Sequence, residues 1–267
     1  MSTIKFAEIN NEFKNLNYDD ENALIDFIDR YNTDNRNNVS NLVDKAIKKH
    51  EALLEEKSRT QIMYVFEDKY ANMGNSYICG IDEVGRGPLA GPVVAAAVVL
   101  PTDKRIMYLN DSKQLSKKKR EELYDIIIDK AIAYGIGVVS EQVIDEINIL
   151  QATYKAMQIA IGNLKIKPDV LLNDAVKIPD IDIKQVPIVK GDTLSASIAA
   201  ASIVAKVTRD RMMEQYEDVF PGYGFAKSAG YGTAAHIKKL KEDGPCDIHR
   251  KTFIKKILNT DIKYKDI

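Results

Sequence analysis

The feature that most constrains the fold of this chain is the apolar run PVVAAAVVL, from Pro92 to Leu100. The run is too short to cross a bilayer, which needs about 20 apolar residues. A strand without a polar side has to be covered on both faces, as in sheets that lie between helices. The run therefore predicts a buried strand of an α/β domain and gives no indication of a membrane protein.

Strand and helix patterns alternate around this run. Strands are predicted at YICGIDE, AYGIGVVS, PDVLLND and QVPIV, and helices at LSKKKREELYDIIIDKA, residues 141–164, LSASIAAASIVAKVTRDRMMEQYEDVF, AAHIKKLKEDG and HRKTFIKKIL. Ser116 is the predicted N-cap of the first of these helices, and the second is expected to break near Asn148. The order predicts an α/β mixed sheet flanked by helices, with a helical segment at the C-terminus.

The first 75 residues differ in composition from the rest. They are rich in Asn, Asp and Glu, contain no Pro and have no Gly before Gly74. Residues 1–76 carry 10 basic and 14 acidic side chains, and the remainder carries 28 basic and 25 acidic ones. Apolar residues with helical spacing lie at Leu24, Ile25, Phe27 and Ile28 and again at Leu42, Val43, Ala46 and Ile47. We therefore predict a small helical extension over residues 1–75 and a larger domain over residues 76–267.

Cysteine usage and charge narrow the classes of function. The formal net charge of the whole chain is -1, which identifies no partner. Cys79 and Cys246 are far apart in sequence and belong to no Cys/His cluster, so neither a zinc site nor a disulfide framework is predicted. The N-terminal MSTIKFAEIN has no signal-peptide pattern, and a reducing cytoplasm is therefore the expected compartment.

Four acidic residues lie where predicted strands end. Asp82 and Glu83 end the first strand, Asp174 ends PDVLLND, and Asp192 follows QVPIV. Any one of them could be a turn residue or a helix cap, and Asp192 could cap the helix that starts near Leu194. Functional groups of open α/β sheets gather where strands end and loops begin, however, so we expect the four carboxylates to converge.

Converging carboxylates repel one another, and a divalent cation removes that repulsion. Oxygen ligands without a Cys or His cluster favour Mg²⁺ or Mn²⁺ over Zn²⁺. Two such ions can hold the attacking and leaving oxygens of a phosphodiester. Neighbours on a strand point to opposite faces, so we also expect the chain to leave regular strand geometry near Glu83, which would let that residue reach the side that Asp82 faces.

Seven segments together resemble one family, ribonuclease HII, the bacterial type 2 ribonuclease H. They are GIDEVGRGPLAGPVVAAAVVL, LNDSKQLS, INILQATYKAM, LLNDA, KGDTLSASIAAASIVAKVTRD, GYGFAKSAGYGTAAH and GPCDIHRKTF. The resemblance implies a ribonuclease H-like fold over residues 76–267 and an endonuclease that cuts RNA in RNA–DNA hybrids. It further implies incision on the 5′ side of single ribonucleotides in duplex DNA, which leaves a 3′-hydroxyl and a 5′-phosphate and serves ribonucleotide excision repair and primer removal. The extension is similar to that of Gram-positive members.

The resemblance also implies roles for single residues. The four metal-binding acids of the family fall on Asp82, Glu83, Asp174 and Asp192. Gly85, Arg86 and Gly87 match the loop that reads the 2′-hydroxyl through its backbone, and Tyr231 matches the tyrosine that packs against the neighbouring sugar. Lys113 is a candidate phosphate contact, His236 and His249 are phosphate contacts or structural residues, and Asp210 is an ion-pair or structural residue. Ala175 stands where the family often has Gly, so a backbone with positive φ there would carry a cost.

Three other readings compete with this one. Ribonuclease HIII is the nearest, but it lacks the Gly-Arg-Gly loop and has a different N-terminal domain. A dinucleotide-binding enzyme needs GxGxxG at the start of a helix, whereas GRGPLAG has a different spacing and precedes a strand. A non-catalytic nucleic-acid-binding module would not need the four acids. The sequence identifies no protein partner.

Overall fold

The computed structural model describes residues 4–259. The chain divides into two compact units between Ile62 and Met63. The first unit contains the helices α1 (Phe6–Lys14), α2 (Glu21–Tyr31) and all but the last residue of α3 (Asn37–Met63). The Asp20 side chain accepts hydrogen bonds from the N–H groups of Asn22 and Ala23 and so caps α2. The apolar core of this unit is formed by Ile9, Phe13, Phe27, Tyr31, Val39, Leu42, Val43 and Ala46.

The second unit is built around one five-stranded sheet. Its strands are β1 (Ile78–Val84), β2 (Val93–Val99), β3 (Ala133–Val139), β4 (Val170–Asp174) and β5 (Lys184–Ile188). They are arranged in the order β3-β2-β1-β4-β5. The pairs β1–β2 and β2–β3 are antiparallel, whereas β1–β4 and β4–β5 are parallel. The prediction of a mixed sheet is confirmed.

Helices cover the sheet on both faces. The helices of this unit are α4 (Val65–Asn72), α5 (Lys117–Lys130), α6 (Glu141–Gly162), α7 (Gly191–Leu194), α8 (Ala196–Val219), α9 (Phe225–Ser228), α10 (Ala234–Asp243) and α11 (Lys251–Asn259). Alternate residues of β2 pack into two separate cores, one with α5 and α8 and the other with α6. All residues of β2 are buried, as the apolar run predicts.

The small residues of α8 allow it to lie very close to β1. A Cβ added at Gly80 would come within 2.0 Å of the main chain of Ser197. Real Cβ atoms do not approach the main chain so closely, so glycine is the only residue type that fits where β1 and α8 cross. The close approach fixes the start of α8 against β1, and the preceding helix α7, which carries Asp192, lies against β4 and β5.

Two predicted helix features are confirmed and one alternative is wrong. The Ser116 side chain accepts a hydrogen bond from the Lys119 N–H and caps α5. The helix α6 is interrupted at Asn148, where φ is 68°. Asp192 is not the N-cap of the long helix, because Ser195 caps α8 and Asp192 lies within α7. No helix among residues 4–259 has the length and apolar content needed to span a membrane.

Candidate active site

Asp82 is a buried carboxylic acid near the end of the strand β1. It pairs with Ala96 of β2 and is 7% exposed. Its Oδ1 accepts a hydrogen bond of 2.8 Å from the Glu83 N–H. Burial raises the pKa of Asp82 well above its usual value, and the charges of Glu83 and Asp174 raise it further. The residue is thus held in a place where a negative charge is costly without a cation.

The path of the strand β1 at Glu83 differs from the prediction made from the sequence. The strand β1 keeps its regular pairing with β2 through Val84, so the chain does not leave strand geometry at Glu83. Its Oε1 is 3.2 Å from Nη1 of Arg86, and the side chain is 12% exposed. Burial raises the pKa of Glu83, Arg86 opposes this rise, and the charge of Asp174 adds to it. The carboxylate of Glu83 is therefore within electrostatic range of Asp174 despite the alternation of the strand.

Asp174 ends β4, and Asp192 lies in α7, which follows the adjacent strand β5. Asp174 is the last residue of β4, one position beyond the Ile81–Asn173 pair, which places it next to Asp82 in the parallel register. Its Oδ1 accepts a 2.8 Å hydrogen bond from the N–H of Gly191, the residue before Asp192. Burial raises the pKa of Asp192, and the charges of Asp111 and Asp174 raise it further. Asp82, Glu83, Asp174 and Asp192 thus form one connected set, called the acid group below.

The donor type of the acid group, rather than the spacing of its side chains, suits hard divalent cations. No three His, Cys, Asp or Glu side chains within residues 4–259 stand close enough to enclose an ion by themselves. The donors of the acid group are all carboxylate oxygens, which are the ligands that Mg²⁺ and Mn²⁺ prefer. Burial, and then the neighbouring carboxylates, raise the pKa values of Asp82, Glu83 and Asp192, and a bound cation would offset both effects.

The loop that follows β1 brings the predicted ribose-reading residues beside the acid group. Gly85 has a φ of 92°, and a Cβ there would lie 2.3 Å from Nε of Arg209. No residue with a side chain fits this position without displacing a buried guanidinium. Arg86 is exposed and pairs with Glu83. Gly87 lies beside Tyr231, because a Cβ added at Gly87 would be in van der Waals contact with Cε1 of Tyr231, at 3.5 Å.

Tyr231 and Lys113 both lie at the surface near these groups. Tyr231 is 45% exposed, so its ring is accessible to a ligand. The main-chain N–H of Lys113 donates to Asp111, and its charge lowers the pKa of Asp192. The structure therefore places Tyr231 next to Gly87 and Lys113 within electrostatic range of Asp192.

Ala175, the residue after Asp174, has the positive φ for which the sequence analysis expected a cost. Ala175 has a φ of 54°, in the left-handed region that favours Gly. This conformation costs an L-residue with a side chain roughly 1–2 kcal/mol. The turn is nevertheless formed, and the Ala175 N–H donates to the carbonyl of Ile188 on the adjacent strand.

Four basic residues are buried together, and the sequence analysis did not single out the two arginines among them. Arg209, His236 and Arg250 are 0% exposed and His249 is 2% exposed. We call these four residues the basic clamp. The sequence left the two histidines open between phosphate contacts and structural residues, and their burial favours the second role. The only signal for the arginines was their position in VTRD and HRKTF, next to residues that had been singled out. Asp210 forms ion pairs with Lys206 and Arg120, as one of its two predicted roles requires.

Comparison with known proteins identifies relatives of the whole chain. The family model described as Ribonuclease HII matches residues 79–256, and that described as Ribonuclease HII N-terminal domain matches residues 5–71. The chain is 56% identical over 254 residues to a ribonuclease HII of Lachnoclostridium phytofermentans, a match that covers 95% of this chain and 98% of the relative.

Solved structures agree in fold. The ribonuclease H2 of Pyrococcus horikoshii OT3 superposes with a TM-score of 0.58 at 27% identity, covering 70% of this chain and 100% of that one. Bst-RNase HIII in complex with Mn²⁺ superposes with a TM-score of 0.52 at 17% identity, covering 71% of this chain and 70% of that one, which shows a shared fold.

Proposed function

Since the chain belongs to the ribonuclease HII family and is an endoribonuclease of the ribonuclease H type, we propose that it cuts both RNA–DNA hybrids and single ribonucleotides embedded in duplex DNA. Incision is on the 5′ side of the ribonucleotide and leaves a 3′-hydroxyl and a 5′-phosphate. The observation that carries this proposal is the Gly85–Gly87 loop, which follows the acid group at the end of β1, pairs with Glu83 through Arg86 and has Tyr231 beside Gly87.

The acid group supplies the ligands for catalysis. Asp82, Glu83, Asp174 and Asp192 would hold two divalent ions, Mg²⁺ or Mn²⁺, and the substrate phosphate would complete their coordination. When bound, the ions supply an activated water and stabilise the leaving oxygen. The hydrogen bond from the Gly191 N–H to Asp174 joins the end of β4 to the start of α7, the helix that carries Asp192.

The loop and the tyrosine supply recognition of RNA. The 2′-hydroxyl is the local difference between RNA and DNA, and it can both donate and accept a hydrogen bond. Within the described part of the chain, the N–H groups of Arg86 and Gly87 have no acceptor, so they are available to a ligand. Tyr231, beside Gly87, would pack on the next sugar, where a second 2′-hydroxyl would crowd its ring. That arrangement favours an RNA-to-DNA junction.

The remaining assignments follow from the same function. Lys113 would contact a backbone phosphate near Asp192. The cellular roles would be ribonucleotide excision repair and primer removal in the cytoplasm. We place the chemistry in residues 76–267 and propose that the extension over residues 1–75 adds binding or stability without taking part in catalysis.

A substrate comparison with the wild-type chain tests the proposal. Three labelled duplexes of equal length are compared in Mg²⁺ and in Mn²⁺: one with a single ribonucleotide, one continuous RNA–DNA hybrid and one of DNA alone. We expect cleavage of the first two, with one product end on the 5′ side of the single ribonucleotide, and none of the third. Cleavage of the hybrid without the single-ribonucleotide duplex would indicate an activity like that of ribonuclease HIII and would overturn the proposal.

A further inference from the structure

The two elements that read the sugar are both held by adjacent residues near the C-terminus. Arg250 and His249 lie between the helices α10 and α11, where Ala90 forms an isolated bridge with His249. The Arg250 N–H donates to the carbonyl of Leu89 at 2.9 Å, and the Gly91 N–H donates to that of Ile248 at 2.8 Å. The segment that follows the Gly85–Gly87 loop is therefore bonded along its length to the segment that contains these two residues.

The Arg250 guanidinium holds the loop itself. Its Nη1 donates to the carbonyl of Arg86 at 2.9 Å and its Nη2 to that of Gly85 at 2.5 Å. Its Nε and Nη2 donate to the carbonyl of Gly91 at 2.9 and 2.8 Å. A planar fork of donors can hold several carbonyls in fixed directions, which a lysine cannot do. Because the carbonyls of Gly85 and Arg86 point towards Arg250, the next N–H groups along the chain, those of Arg86 and Gly87, point to the opposite side of the loop.

Arg209 supports this arrangement from α8. It donates from Nε to Pro92, from Nη1 to Ala229 and from Nη2 to Ala90, in each case to a main-chain carbonyl. Burial lowers the pKa of Arg250 to about 9, and the nearby charge of Arg209 contributes to this. Two like charges are thus buried side by side, and all of their hydrogen bonds to described residues end on the main chain around the loop.

The His249 imidazole reaches Tyr231 through His236. His249 Nδ1 accepts from the Cys246 N–H at 3.0 Å, so its proton is on Nε2, which lies 2.9 Å from Nε2 of His236. His236 then accepts on Nε2 and donates from Nδ1 to the carbonyl of Tyr231 at 2.9 Å. This chain of hydrogen bonds defines one neutral tautomer for each ring and fixes the backbone of Tyr231.

We propose that Arg250 and His249 are positioning residues for sugar recognition: Arg250 orients the Gly85–Gly87 loop towards the 2′-hydroxyl, and His249 sets the place of Tyr231 relative to that loop. The inference rests on the proposed function, which assigns recognition of the sugar to these two elements. It adds that one dipeptide, distant in sequence from both elements, determines the spacing between the loop and Tyr231.

The two residues have different expected signatures. Arg250→Lys keeps the charge but cannot serve all three carbonyls, so the loop shifts relative to the acid group. Misplacement by about 1 Å can lower a rate on the order of 10²-fold. We therefore expect kcat to fall by about that factor on the single-ribonucleotide duplex and on the hybrid. His249→Gln loosens Tyr231 alone, and we expect it to lower the ratio of single-ribonucleotide to hybrid cleavage by about tenfold with little change on the hybrid.

Matched measurements separate this role from a general loss of stability. Leu123→Ala removes a buried side chain of α5 in the core and serves as the destabilised control, with all variants assayed well below their melting temperatures. Binding of an uncleaved all-DNA duplex and the Mg²⁺ concentration for half-maximal rate should be unchanged in Arg250→Lys.

The outcomes are distinguishable. A wild-type chain that leaves the single-ribonucleotide duplex intact contradicts the proposed function. A wild type that cuts it, together with Arg250→Lys and His249→Gln variants that keep the wild-type kcat and substrate ratio, overturns the positioning role. So does a loss of rate that Leu123→Ala reproduces at equal loss of stability.

Discussion

The acid group and the basic clamp both contact the Gly85–Gly87 loop, and they bury charge in opposite ways. In the acid group, burial and mutual repulsion raise the pKa values of Asp82, Glu83 and Asp192. In the basic clamp, Arg209 and Arg250 are fully buried but donate seven hydrogen bonds to main-chain carbonyls. Among the described residues, Arg86 is the one basic side chain at ion-pair distance from the acid group, and it contacts Glu83 alone. The two arginines of the basic clamp, in contrast, direct their donors to main-chain carbonyls.

This difference is the one expected between a ligand-binding site, here the acid group, and a structural element that holds a loop in place, here the basic clamp. Buried charge without partners destabilises the folded chain until a ligand of opposite charge arrives. Buried charge with well-placed hydrogen bonds fixes the conformation of whatever it contacts. The acid group is therefore expected to gain stability from a ligand, and the basic clamp to lose stability when one of its members is removed.

The largest expected effect comes from neutralising one member of the acid group. Asp82→Asn removes one of the proposed metal ligands, and a bound ion can supply several kcal/mol of transition-state stabilisation, so kcat on a single-ribonucleotide duplex in Mg²⁺ should fall on the order of 10³-fold or more. The same change removes an uncompensated buried charge, so the free energy of unfolding of the metal-free chain, measured in urea with a chelator, should rise.

Asp125→Asn is the matched control for this pair of measurements, because Asp125 is an exposed acid of α5 outside the site. It should leave kcat unchanged and alter stability by no more than about 0.5 kcal/mol. A near wild-type rate of Asp82→Asn in Mg²⁺ would show that the assignment of this ligand is wrong.

A smaller effect, on stability, is expected from protonation of His249 in the basic clamp. Burial lowers the pKa of His249 to about 4, and the nearby His236 contributes to this. The unfolded chain takes up this proton near pH 6.5, so stability is present above that pH and is lost as the pH falls towards 4. The loss should amount to on the order of 3 kcal/mol over this range. Urea unfolding at several pH values, with a chelator present, measures it.

The His249→Gln variant isolates this proton from other titrating groups. Cys246 and His236 contact the ring, and Glu141, Asp145, Asp247 and Lys251 line the adjoining cavity together with His249. Carboxylates titrate in both proteins, so the difference between them reports His249. We expect the variant to be less stable at pH 7 and to change less between pH 6.5 and 5. Equal slopes in the two proteins would show that the imidazole is not held neutral.

The contrast also explains how much of the site could be predicted from the sequence. The strands and the four acids follow from local patterns, because apolar runs and strand ends can be recognised within a few residues. The basic clamp depends on contacts between residues far apart in sequence, such as Arg250 with Gly85, which no local pattern encodes. The regular path of the chain at Glu83 was also missed, because the alternation rule does not describe how far a long side chain reaches past a strand end.

The smallest effect concerns the backbone of the acid group rather than its charge. Ala175→Gly relieves the left-handed conformation at φ 54°, so the free energy of unfolding should rise by about 1 kcal/mol, less the entropy that Gly adds to the unfolded chain. Ala52→Gly is the control: Ala52 is exposed in the middle of α3, and Gly there should lower stability by about 1 kcal/mol. Opposite signs in the two variants would show strain after Asp174, whereas equal losses would mean that the turn accepts Ala without cost. Because the substitution leaves every carboxylate in place, cleavage of the single-ribonucleotide duplex should stay near the wild-type rate, which separates the backbone cost of the acid group from its function.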